Sequence, residues 1–179
     1  MACISKLASA IAYDCDSGST GLVSAIIINK ADIASFFVEG GSLTVSGVTL
    51  VPGAKAYKID TVKRSLVLSS SLKVNEGAPN AHSHSATLVY TGILDAAGRA
   101  ILSAFTNGSF VIVAKTATLA APRIYGLYYG LSATAIDNNS HENGNWVTYT
   151  FETPENVIGE DSVAMAVADY DALYTAAVG

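Results

Sequence analysis

Past Arg123 the chain has no lysine or arginine at all: residues 124–179 carry eight carboxylates and a local charge of −8. Residues 1–123 carry ten basic and seven acidic side chains, or +3, so the total of −5 conceals a charge dipole along the sequence. Charge of either sign is scarce, 14% of residues against about 25% in an ordinary soluble domain. No basic cluster is denser than Lys63-Arg64, which argues against a nucleic-acid groove. Long apolar runs are missing too, and none approaches the roughly 18 residues of a membrane helix. The opening Met1-Ala-Cys-Ile-Ser-Lys has no basic region followed by an apolar stretch, so the expectation is a chain neither secreted nor membrane-inserted. Cys3 and Cys15 are the only cysteines, and their spacing makes no zinc signature. Free thiols or a disulfide closing the N-terminal arm both remain open.

Motifs of catalysis are equally sparse. No serine sits in a Gly-x-Ser-x-Gly elbow, no glycine loop ends in Lys-Ser or Lys-Thr, and no His-Glu-x-x-His occurs. Glu152, Glu155, Glu160 and Asp161 would suit acid/base hydrolysis only at a set separation in an aromatic cleft. They are read here as a solvated or channel-facing acidic surface. His82 and His84 would point the same way in a strand, and His141 or Glu142 would be the third ligand of a metal site. Their loop-like surroundings favour solvent-facing or structural histidines. The expectation is a non-enzymatic protein with no cofactor and no metal.

What the chain does have is apolar and small. Half of it is hydrophobic, with abundant Ala, Ser, Gly and Thr and many β-branched residues, a composition that favours strands. Runs bounded by turn residues predict strands at 22–28, 33–38, 43–50, 86–92 and 110–114, with one or two more over 56–68. Residues 123–132 and 146–153 alternate as strands on either side of a polar tip at 137–144. The one convincing helix spans Asp95 to Phe105, with Leu94, Ile101, Leu102 and Phe105 on one side and Asn107-Gly108 as its stop. The expected fold is mainly β, a β-sandwich or barrel with one packed α-helix, in a single domain over 1–179. Residues 1–21 would be an N-terminal arm and 160–179 a tail ending in a short helix or a strand.

Residues 69–85 look least like core: Ser-Ser-Ser-Leu-Lys-Val-Asn-Glu-Gly-Ala-Pro-Asn-Ala-His-Ser-His-Ser. A loop or extended hairpin of this length inside a compact domain tends to be functional. Leu72, Lys73, Val74, Asn75, Glu76, His82 and His84 are therefore the candidate contacts to a neighbouring copy. On this reading deletion of 72–84 would leave a folded subunit that no longer assembles. A low-charge exterior and a charge dipole both suit head-to-tail self-association.

The segments Arg123-Ile-Tyr-Gly-Leu-Tyr-Tyr-Gly and Trp146-Val-Thr-Tyr-Thr-Phe-Glu-Thr-Pro-Glu-Asn look like virion structural proteins. Together with the arm, the long loop and the outer helix, the chain resembles the tail tube proteins of bacteriophages over roughly residues 20–160. The resemblance implies hexameric rings stacked around an acidic channel, through which DNA passes without specific binding. Its implied partners are other copies of itself and other virion proteins, with no membrane, and its place is the virion, assembled in the host bacterial cytoplasm. Two alternatives stand beside it. One is a head-tail connector, neck or decoration protein of a virion. The other is a β-sandwich carbohydrate-binding or adhesion module that stacks sugars on Tyr125, Tyr128, Tyr129 and Trp146.

Overall fold

The computed structural model of the protein describes residues 21–59, 65–90, 96–117, 121–138 and 146–178. The arm to residue 20, both cysteines, Asp95, His141 and Glu142 lie outside the described residues. At the centre are β1 (Leu22–Asn29) and β7 (Ser109–Thr116), antiparallel, with Ile26 opposite Val113 and Ile27 opposite Ile112. Side chains alternate across a strand. Ala25, Ile27, Phe110, Ile112 and Ala114 therefore face one core, while Ile26, Ile28, Val111 and Val113 face another. A pair of strands covered on both faces needs continuous apolar sequence, which is why residues 25–28 and 110–114 have no polar interruption.

The other edge of β7 is shared between two partners, so the sheet forks. β9 (Leu131–Asp137) pairs at Ser109 and Phe110, and β8 (Arg123–Tyr125) pairs at Ile112, Val113 and Ala114. From β9 the order continues through β10 (Val147–Glu152) and β6 (Ala81–Tyr90) to β5 (Leu66–Lys73). From β8 it continues through β11 (Val163–Met165) and β3 (Thr44–Leu50) to β2 (Ile33–Glu39). β4 (Tyr57–Ile59) closes on the free edge of β1. Each branch curls back over the β1–β7 pair, giving the expected mainly β architecture with a helix on each core.

α1 (Ala96–Asn107) lies against the first core through Leu102 and Phe105. Phe105 meets Phe110, Tyr149 and Phe151 edge-on with centroids 5.5–5.8 Å apart, pairings worth about 0.5–1.5 kcal/mol each beyond the area they bury. The Tyr149 hydroxyl donates to the Leu102 carbonyl at 3.1 Å and fixes the helix on β10. Gly108 ends the helix, its N–H on the Ala104 carbonyl at 2.7 Å. A Cβ there would lie 2.4 Å from the Phe110 ring, so the sharp exit into β7 requires glycine. α2 (Val167–Ala176) covers the second core with Tyr170, Leu173 and Tyr174, and Tyr170 Oη shares a 2.7 Å hydrogen bond with Ser24 Oγ.

One expectation is corrected and two left open are resolved. Of the loop or extended hairpin expected over 69–85, the structure has the hairpin: β5 and β6 run through it in unbroken register from Leu66↔Leu88 to Lys73↔Ala81, leaving a connection at 74–80. Deletion of 72–84 would remove strand and core, not a dispensable loop. Residues 123–132 are not one strand, because Gly126 and Gly130, at φ 77° and 75°, fold them into a turn closed by Gly130 N–H on the Gly126 carbonyl. The tail carries both of the elements held open for it, β11 followed by α2.

Candidate functional site

The β5–β6 hairpin is held at its outer end by the strap of residues 153–160. Lys73 Nζ donates to the carbonyls of Glu155 at 3.0 Å and Val157 at 2.6 Å, and Asn75 Nδ2 donates to those of Pro79 and Ile158. His82 and Glu160 exchange backbone hydrogen bonds at 2.8 Å each way. These bonds turn the one lysine of the hairpin inward. The tip therefore presents apolar surface: Leu72 is 65% exposed, Val74 71%, and Ile158 of the strap 45%. Glu76, exposed in the turn, and Glu155, exposed in the strap, are its carboxylates.

Beneath the hairpin lies a buried polar cluster that corrects two readings. Glu160 belongs to no acidic surface. Its side chain is fully buried, with Oε1 accepting the Tyr129 N–H at 2.7 Å and Oε2 the Tyr128 N–H at 2.8 Å. The Gly126–Gly130 turn aims those two amides inward, and the carboxylate satisfies them. Desolvation pushes its pKa up against the pull of these two bonds and of Lys30. His84 is no assembly contact either, being buried, with Nδ1 accepting the Gly126 N–H at 3.2 Å and its ring edge-on to Tyr125 at 5.2 Å. Thr153 Oγ accepts the His84 N–H at 2.9 Å. Burial first, and His82 second, hold the His84 pKa down at about 4, so the ring is neutral. Sequence spacing cannot find this cluster, because it joins β6, a turn and the strap, which are far apart in the chain.

Of the other acidic residues, Glu152 and Glu155 are exposed, and Asp161 is partly buried beside the Tyr128 hydroxyl. His82 shares a 3.1 Å hydrogen bond with Ser70 Oγ and is partly buried. Among the described residues no group of three His, Cys, Asp or Glu is placed to hold a metal. The four aromatics weighed as a sugar platform separate: Tyr125 packs on His84 and Tyr128 on Phe36, while Tyr129 and Trp146 stand exposed.

Both ends of the strand path are open. β5 pairs only with β6, and β2 only with β3, among the described residues. Proteins usually guard such edges with charge, proline or distortion. On β5 the only charge is the inward-tied Lys73, and its serines and Val67 are exposed. On β2 the only charge is the terminal Glu39, although two register shifts distort this edge. Exposed apolar groups continue along them, with Phe37 65% exposed on β2. A cavity of about 650 Å³ opens on a third side, between β4, the far end of β6 and α1. No described helix is long and apolar enough to cross a membrane. Comparison with family models, curated proteins and solved structures finds no match to this chain.

Proposed function

We propose that the protein is a non-enzymatic structural subunit that assembles with copies of itself, as a tail tube subunit of a bacteriophage virion forming stacked rings. The observation that carries this reading is the pair of open sheet edges with a single charge each, β5 above all, where eight residues in unbroken register with β6 leave the backbone groups of alternate residues facing outward. A sheet continued into a neighbour satisfies those groups and covers the apolar side chains beside them. The polar cluster supports the same reading. Its histidine and carboxylate are spent on turn amides, which leaves them as braces for the hairpin.

In a tube, the exposed carboxylates Glu152 and Glu155 would join a wall that repels nucleic acid passing along it. Size-exclusion chromatography with light scattering, followed by negative-stain microscopy, tests the proposal. Rings or tubes are the expected result, and single rings that never stack would favour a connector or neck role. A strict monomer at the highest concentration reached would refute it.

A further inference from the structure

Hydrogen bonding decides which groups of the β5 edge face outward. In an antiparallel pair, residues alternate between exchanging bonds with the partner strand and pointing away from it. Val89 N–H donates to the Ser65 carbonyl at 2.8 Å, and the register runs on without a break from Leu66↔Leu88 to Lys73↔Ala81, so the odd-numbered residues of β5 bond to β6. The far side of β6 agrees, since the His84 carbonyl is turned away from β5 and accepts the Thr153 N–H at 3.0 Å. The N–H and C=O groups of Leu66, Leu68, Ser70 and Leu72 therefore point out of the sheet.

Resting on the self-association reading, the geometry points to β5 of a second copy as the partner of this edge, antiparallel about a two-fold axis at Ser69. That register sets Leu66 against Leu72 and Leu68 against Ser70 of the other copy, and it alone pairs every outward residue of both strands. Side chains agree. Leu66 and Leu68 pack on the first core, so the exposed Leu72 of one copy extends that apolar face at Leu66 of the other. On the opposite face the exposed Val67 lies against Ser71, Ser69 against Ser69 and Lys73 against Ser65, so no like charges meet. β2 is the poorer partner, because its two register shifts interrupt the alternation. A strand that meets itself makes an isologous contact, which closes on two copies. Growth beyond the pair then uses other surfaces, and a ring built from such pairs holds an even number of copies.

Disulfide trapping reads the register. Ser69 meets Ser69 of the second copy at a position that makes no bonds across the new ladder, where Cα atoms are about 4.5 Å apart, within the roughly 4.4–6.8 Å that a disulfide spans. In the full chain with Cys3→Ser and Cys15→Ser, Ser69→Cys should form a covalent dimer under mild oxidation. Val67→Cys and Ser71→Cys should not link alone, because each faces the other position and lies about 13 Å along the strand from its own counterpart. Mixed, those two variants should link. All three positions are exposed, and circular dichroism checks the fold. Should the background chain fail to fold, disulfide mapping by mass spectrometry with the native cysteines in place reads the same links. Association without the Ser69→Cys link, or with a link in Val67→Cys alone, would overturn this contact and leave the self-association reading standing. A wild-type chain that stays monomeric would end both.

Discussion

A neutral imidazole at position 84 is a condition of the turn it supports. Nδ1 accepts the Gly126 N–H, and a protonated ring would set a donor against that donor. Burial holds the folded pKa near 4 against an ordinary 6.5. Between these values the unfolded chain binds a proton that the folded chain refuses. The stability owed to the neutral ring is therefore complete above the ordinary value and drains as pH falls toward the folded one. Glu160 acts in the opposite sense: its raised pKa means the buried carboxylate costs stability when charged, and that cost is relieved as it protonates. His84→Gln keeps an acceptor while removing the titration and so separates the two. From pH 7 to 4.5 the urea midpoint of the wild type should fall further than that of the variant, by the equivalent of about 2 kcal/mol. Equal falls would show that another group carries the acid sensitivity. The sequence offered both residues as candidates but not their role. Glu160 reads as one more charge in an acidic tail until the turn amides of Tyr128 and Tyr129, some thirty positions upstream, are seen to surround it.

Strands covered on both faces were the most legible elements, since β1 and β7 show unbroken apolar sequence wherever they lie between two cores. The helix was legible from its apolar side and its glycine stop. β5 was not. An edge strand needs apolar side chains on one face only, and its serines at 69–71, with the histidines opposite, carry the composition of a loop. Its strand character comes from pairing with β6, a tertiary fact. The composition that hid β5 also leaves its edge unguarded, and this gives an element-scale prediction. Ser69 is exposed in the middle of β5, opposite Ser85. Ser69→Lys introduces the kind of charge that natural edges use to refuse a partner, and should weaken self-association by roughly tenfold or more. The subunit's own stability should change by less than about 0.5 kcal/mol, as for other surface substitutions. Light scattering alongside urea unfolding reads both effects, and undiminished association would place the contact away from β5.

At the scale of the whole molecule the charge dipole of the sequence does not carry over unchanged. Lys115 meets Asp171 at 3.6 Å, Asp169 is taken up by the Gly47 N–H at 2.7 Å, and Glu160 is buried, so acidic residues of the last segment are spent against earlier parts of the chain. What remains to steer one copy toward another is a few exposed charges, such as Glu76 and Glu155 at the β5–β6 hairpin and Lys55 before β4. Exposed pairs of this kind are worth about 1 kcal/mol or less and are screened by salt. The apolar groups of the tip and of the open edges are worth about 1.5–3 kcal/mol for each large side chain fully buried, and sulfate strengthens such burial. The two contributions therefore separate in salt. Raising sodium chloride from low to moderate ionic strength should slow association and reduce its constant only a few-fold, by loss of steering, while sodium sulfate should increase it. Sedimentation velocity across both series measures the difference. A loss of a hundredfold or more in sodium chloride would mean that charge, not apolar burial, joins the copies, and the dipole along the sequence would then be the feature that matters.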